Sequence, residues 1–286
     1  MLGPTSHTYY SQRLRLHYLD YGNADAPPLL MVHGNRDHAH NWDWLADRLR
    51  DRYHIVAPDL RGHGDSQWSL GSAYATNEFV YDIAQLVEQQ RLAPLRIVAH
   101  SLGGNVALRY AGTYPDRVER LVVVEGSAGT IRRVDPPPPA AERLQKLVDT
   151  GRSLAARTPR RYATLDDAFR RMLEENPHLS PEQARHLTIH GANQNEDGTY
   201  TWKFDNYVNA GQILDFSGSD VRELWRNITC PVLHVSGSES PHETGIDPDL
   251  LVAEFRDARH VVVEGAGHWV QHDRLDCLVE LLDTFL

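Results

Sequence analysis

Short apolar runs alternate with helical patterns along most of the chain. The runs are Leu29–His33, His54–Pro58, Arg96–Ala99, Arg120–Val124, Val232–Val235 and His260–Val263. They are rich in Val and Ile, too short for buried helices, and end at turn residues, as strands covered on both faces do. Between them the apolar spacing becomes helical. In Asn77–Gln90, Phe79, Ile83, Leu86 and Val87 share one face; near the C-terminus Leu275, Leu278, Leu282 and Phe285 do the same. Strands alternating with helices predict βαβ units and a mainly parallel sheet.

Residues 129–227 break the alternation. Pro136–Pro139 is a stiff run that reads as a linker. Helical patterns follow, one around Leu144, Leu147 and Val148 and another around Ala168, Phe169, Met172 and Leu173. Ser180-Pro181-Glu182-Gln183 predicts a helix start, with Ser as N-cap, Pro at the first helical position and Gln positioned for a capping box. The expectation is an α/β core of residues 1–128 and 228–286, interrupted by a helical lid over residues 129–227.

A length of 286 residues suffices for one large domain carrying such an insertion. The formal charge of -10 repels phosphate backbones and anionic membranes, so neither nucleic acid nor a lipid surface is an expected partner. No window holds enough uninterrupted apolar residues to span a bilayer. Met1–Tyr10 lacks a basic segment followed by an apolar run, and Cys230 and Cys277 alone make no disulfide framework. These features predict a cytoplasmic protein; nothing in the sequence specifies its oligomeric state.

The candidate chemistry centres on Arg96-Ile-Val-Ala-His-Ser-Leu-Gly-Gly-Asn105, where a buried strand runs into a helix with Ser101 at the junction. A turn that sharp needs small residues two before and two after the serine, here Ala99 and Gly103. It lifts the hydroxyl clear of the backbone and sets it at a helix N-terminus, where free N–H groups stabilise negative charge. Serine attacks well only when a base takes its proton. The candidate base is His268, in the Gly-rich loop Val263-Glu-Gly-Ala-Gly-His-Trp269 after the last strand; His272 lies close by and is less well placed. His33, His38 and His40 fall in no metal-ligand spacing, so neither metal nor cofactor is expected.

With these residues in view the chain resembles the α/β-hydrolase superfamily, as a lidded serine-hydrolase-like member with haloalkane-dehalogenase-type loops. His33-Gly34-Asn35 resembles the oxyanion loop, Asp59-Leu-Arg-Gly-His-Gly-Asp-Ser66 the D-x-R-G-x-G-x-S segment, Ala99–Gly104 the nucleophile elbow and Gly267-His268 the histidine loop. The resemblance implies a mostly parallel eight-stranded sheet flanked by helices. It also implies an oxyanion hole made by the N–H groups of Asn35 and Leu102, each donor lowering the barrier by about 3 kcal/mol. The implied substrate pocket takes in His33, Gly34, His100, Trp202 and Trp269. Trp202, Phe204, Tyr207, Phe216 and Trp225 would either line an apolar acyl pocket or form the lid's own core. The dehalogenase branch uses an Asp nucleophile, so Ser101 argues against halide chemistry.

The third triad member departs from the family pattern. The usual Asp position is occupied by Ser240, in Pro231-Val-Leu-His-Val-Ser-Gly-Ser-Glu-Ser-Pro241. Two carboxylates can substitute. Glu239 stands one residue early. Glu125 ends the strand Val122-Val-Val-Glu, where many dehalogenases keep their acid, and a charge there is costly without a partner. Glu125 is favoured, with Glu239 the alternative; Asp59 and Asp65 read as loop-holders. The sequence thus predicts a serine hydrolase cleaving an ester-like bond in a small, largely apolar substrate. Lactone, C–C bond or perhydrolase chemistry on the same triad, or a non-catalytic small-molecule receptor, are the alternatives.

Overall fold

The computed structural model describes residues 3–127, 136–210, 216–242 and 247–286. In chain order the first half contains β1 (Thr5–Ser11), β2 (Leu14–Asp20), β3 (Pro28–Val32), a short 3₁₀ turn (Ala39–Trp42), α1 (Asp43–Leu49), β4 (His54–Pro58), α2 (Thr76–Gln89), β5 (Leu95–His100), α3 (Leu102–Thr113) and β6 (Val118–Val124). Then follow α4 (Ala140–Ala155), α5 (Leu165–Glu175), α6 (Pro181–Gly191), β7 (Ala192–Gln194), β8 (Tyr200–Trp202) and α7 (Gly218–Asn227). The chain ends with β9 (Val232–Gly237), α8 (Pro248–Val252), β10 (Ala258–Val263), α9 (Val270–Asp273) and α10 (Leu275–Phe285).

Within the described residues an eight-stranded sheet runs β1-β2-β4-β3-β5-β6-β9-β10. β2 pairs antiparallel with β1 and β4; the rest of the sheet is parallel. Its two faces divide the apolar residues by the period of two that a strand imposes. Leu30, Val32, Ile97, Ala99, Leu121 and Val123 enter one core with α2, α3 and α7. Leu29, Met31, Val98, Val122 and Val124 enter the other with α1 and α10. Strands covered on both faces have no polar alternation, so the apolar runs were visible in sequence. The β1–β2 hairpin escaped that reading because β1 is an edge strand whose first four residues are exposed.

The chain leaves β3 in one direction to form β4 and returns past it to form β5. That reversal opens a crevice at the carboxyl ends of β3 and β5, the place where open α/β sheets bind ligands. His33-Gly34-Asn35 and Ser101 both stand there.

Between β6 and β9 the described residues are mostly helical, and a short β7–β8 hairpin adds strand the sequence did not show. Residues 129–135, where the predicted lid begins, lie outside the described residues. Ser180 caps α6 through a reciprocal capping box with Gln183, as its sequence predicts. A small apolar cluster of Leu179, Ala184 and Leu187 packs with Phe169, Met172, Leu173 and Trp269. α7 behaves differently. Its Val221 and Trp225 are buried in the main core, and a Cβ on Gly112 of α3 would fall 2.2 Å from the Leu224 carbonyl oxygen. By packing, α7 continues the sheet-bearing core, although the sequence places it in the insertion. No described helix is long and apolar enough to cross a membrane.

Candidate active site

Ser101 joins β5 to α3 with φ +51° and ψ −114°, a left-handed backbone that costs a non-glycine residue roughly 1–3 kcal/mol. Neighbouring glycines make the turn fit. A Cβ on Gly103 would come within 2.4 Å of the Val32 carbonyl oxygen, and one on Gly104 within 2.9 Å of the Gly126 Cα. The Ser101 N–H donates to the Val124 carbonyl at 2.9 Å, tying the bend to β6.

Glu125 follows β6, also at positive φ (+57°), and its side chain is fully buried. Three donors converge on the carboxylate. The Gly237 N–H reaches Oε1 at 2.7 Å, the Ser240 hydroxyl reaches Oε2 at 2.5 Å, and His268 Nδ1 reaches Oε2 at 3.1 Å. A carboxylate only accepts, so Nδ1 carries the proton and Nε2 is left with its lone pair, the tautomer a general base requires. Glu239 instead is exposed and lies 3.7 Å from His178. Ser240, at the position usual for the family acid, is itself a donor to the buried carboxylate, a role that its place in the sequence does not signal.

The His268 loop is pinned from two sides. The Glu239 N–H donates to the Ala266 carbonyl at 2.9 Å, and the Gly267 N–H to Asp273 Oδ2 at 2.8 Å. His100 Nε2–H donates to the His268 carbonyl at 2.9 Å, so His100 Nδ1 is a buried acceptor with no hydrogen bond among the described residues. Burial, then the nearby His268, hold His100 well below the usual histidine range and keep it neutral. The His242 and His268 rings stand 4.1 Å apart. Among the described residues the Ser101 hydroxyl forms no hydrogen bond to the His268 ring; such contacts commonly close only when substrate binds.

The Asn35 and Leu102 N–H groups likewise have no hydrogen-bond acceptor among the described residues, which leaves both available to an incoming oxygen. Gly34 lies against the bend: a Cβ there would meet His100 Nδ1 at 2.7 Å and Ser101 Cβ at 3.2 Å. His33 is buried, donates from Nδ1 to the Gly34 carbonyl and accepts the Leu60 N–H on Nε2. Burial lowers its pKa to about 3, so it is a neutral brace for the loop. Asp59 accepts from His17, the Ala39 N–H and the Asp65 N–H, and Asp65 pairs with Lys203; both hold loops.

Trp202 donates to the Tyr162 hydroxyl at 3.0 Å, and Trp269 packs on the apolar cluster of α5 and α6. Trp225 is core, stacked on Phe255. His272 is buried away from solvent beside Trp44 and Trp269. A cavity of about 740 Å³ opens between α4 and the Asn206–Asn209 turn, outside Ser101 and His268. It includes Arg36 and Asn209, and Asn209 hydrogen-bonds the Asn35 side chain at 2.7 Å, so it adjoins the Asn35 loop. Its described lining carries four cations, Arg36, Lys146, Arg157 and Arg160, against Glu142 and Asp149.

Residues 27–275 match the alpha/beta hydrolase fold family. The chain belongs to that family, and the protein is a hydrolase. It is 27% identical to esterase Rv0045c of Mycobacterium tuberculosis over 98% of this chain and 89% of the relative, and 24% identical to esterase YbfF of Escherichia coli over 91% and 92%. Among solved structures it is similar to the thioesterase domain from the curacin biosynthetic pathway, with a TM-score of 0.85, 23% identity and coverage of 98% of this chain and 99% of that one. E-2-(acetamidomethylene)succinate hydrolase gives a TM-score of 0.78 at 24% identity, covering 99% and 98%.

Proposed function

We propose that the protein is a serine hydrolase that cleaves a carboxylic-ester-like bond in a small molecule through an acyl-enzyme. The observation that carries this reading is the convergence, at the carboxyl edge of one sheet, of a strained serine and of a histidine whose tautomer is fixed by a buried carboxylate. Relatives named as esterases support the ester class.

In this reading His268 Nε2 takes the proton of Ser101 as its Oγ attacks the carbonyl carbon. Negative charge builds on the carbonyl oxygen, between the Asn35 and Leu102 N–H groups. Glu125 stabilises the imidazolium without taking its proton. The protonated ring then gives its proton to the leaving alkoxide, leaving the acyl group on Ser101. Water, deprotonated by the same ring, attacks the acyl-enzyme; collapse releases the acid and restores the serine. The helical insertion acts as a cap over this edge and sets which substrates enter.

A fluorophosphonate probe tests the reading. Wild type labels and turns over p-nitrophenyl esters, whereas Ser101→Ala does neither. Equal labelling of the two proteins refutes Ser101 as nucleophile, and absence of labelling and turnover in wild type favours a non-catalytic receptor on this scaffold.

A further inference from the structure

Away from the serine, three histidines and one aspartate converge at the seam between α6 and the start of α1. His40 and Asp43 lie in the Ala39–Trp42 turn and the first position of α1; His186 and His190 lie one turn apart on α6. One ligand-capable atom from each of the four residues falls within 4.8 Å of all the others. All four are half-buried. From this clustering we propose that His40, Asp43, His186 and His190 form a binding site for a first-row divalent transition ion of the zinc class.

The donor set selects the ion. Three imidazoles and one carboxylate suit Zn²⁺, Ni²⁺ or Co²⁺, whereas Ca²⁺ and Mg²⁺ demand oxygen. The pairs have the spacing that puts two ligands on one helical face: His186 and His190 are four apart, His40 and Asp43 three apart. Asp43 Oδ2 sits 2.9 Å from His40 Nδ1 and 2.8 Å from His186 Nε2. The Tyr21 hydroxyl donates to Oδ1 at 2.6 Å and so orients the carboxylate from behind, the kind of outer support that metal-ligating carboxylates have. Among the described residues His190 makes no hydrogen bond; its ring lies 3.7 Å from that of His40 and 4.5 Å from that of His186. Beyond the four residues, the His38 ring lies 6.3 Å from that of His40 and the Trp44 ring 4.6 Å from that of His186.

Ligation requires a small rearrangement. Zinc–nitrogen bonds of about 2.0–2.1 Å in a tetrahedron set ligand atoms about 3.4 Å apart, so the carboxylate and the two imidazoles separate by about 0.5 Å. The proton that each ring presents to Asp43 moves to its other nitrogen or to solvent. The His190 ring turns out of its stack to present a nitrogen. A bound ion then joins α6, from the helical insertion, to the segment following β3, across 143 residues of sequence.

The test uses full-length protein stripped with a chelator and titrated calorimetrically with zinc chloride. The expected result is one saturable ion per chain, with a melting temperature about 5 °C higher at a hundredfold excess over the dissociation constant. His186→Gln and His190→Gln each weaken binding at least about tenfold, while His7→Gln on β1 has no effect. X-ray absorption on zinc-loaded wild type needs no variant, and it shows three imidazoles at about 2.0 Å. Absence of saturable binding, fewer than two imidazoles on the ion, or unchanged binding in the His186→Gln/His190→Gln double variant overturns the proposal; the last result would place the ion on other histidines.

Discussion

Ser240 Oγ lies 2.5 Å from Glu125 Oε2, the same oxygen that His268 Nδ1 reaches at 3.1 Å. The two residues come from loops after neighbouring strands, β6 and β9. A hydroxyl therefore occupies the loop position usual for the family acid and donates to a carboxylate supplied by the adjacent strand. A charge buried this fully is tolerated only because donors surround it.

On that arrangement, Glu125→Gln leaves the His268 loop in place but presents an amide to Nδ1 and loses the fixed tautomer. We expect kcat for a p-nitrophenyl ester to fall by about 10⁴. Glu239→Gln, at an exposed site facing His178, changes it less than about twofold. Ser240→Asp alone places two carboxylates together and lowers kcat, whereas Glu125→Ala/Ser240→Asp restores part of the activity that Glu125→Ala loses. Steady-state kinetics on wild type and the five variants decides the matter, and a larger effect at Glu239 than at Glu125 assigns the acid to the other loop.

Much of this architecture was legible because both faces of the sheet are covered. Val98, Val122 and Val235 need no polar alternation, and the runs containing them read directly as strands. The Ser101 bend was legible for a steric reason, since only small residues fit at positions 99 and 103. Pairings across long sequence separations were not. Spacing alone left Glu125 and Glu239 as alternatives, because the contact with His268 spans 143 residues. Trp225 read equally as pocket or core, since an aromatic side chain serves both, and only the packing of α7 against α3 separates them. The His40–Asp43 and His186–His190 pairs are unremarkable in sequence; their meeting depends on how α6 docks.

The buried His272 carries a pH prediction. Neither of its ring nitrogens has a hydrogen-bond partner among the described residues, and burial lowers its pKa to about 3. The unfolded chain takes up this proton near pH 6.5 and the folded chain only near 3. The neutral ring therefore leaves stability intact above about pH 6.5, and stability falls as pH drops between the two values. We expect His272→Phe to remove about 1.4 kcal/mol per pH unit from that slope and to be neutral or stabilising at pH 7. Urea unfolding at pH 7, 6 and 5 measures both, and an unchanged slope contradicts the assignment.

The elbow makes an asymmetric prediction about its two small residues. Gly103→Ala drives a methyl to 2.4 Å from backbone oxygen, which cannot yield as a side chain does. It should cost at least about 3 kcal/mol or prevent folding. Ala99→Gly restores the commoner residue at a buried strand position. It should keep kcat within about twofold and cost only about 0.5–1 kcal/mol through backbone entropy. Thermal melts with ester kinetics on the two variants separate steric necessity from habit.

The charged lining of the cavity beside the Asn35 loop carries a prediction about substrate charge. Four cations face two carboxylates in its described lining, in a chain whose formal charge is -10. Local charge of sign opposite to the whole favours an anionic substituent. An ester whose acyl chain ends in a carboxylate, such as p-nitrophenyl hydrogen glutarate, should show a KM about tenfold below that of a neutral ester of equal length. One charge-assisted hydrogen bond of about 1.5 kcal/mol suffices for that ratio. Arg157→Gln should erase the preference without changing kcat on the neutral ester, and raising the salt should narrow it. If the neutral ester keeps the lower KM in wild type, substrate enters elsewhere, and these cations serve only to hold α4 against its neighbours.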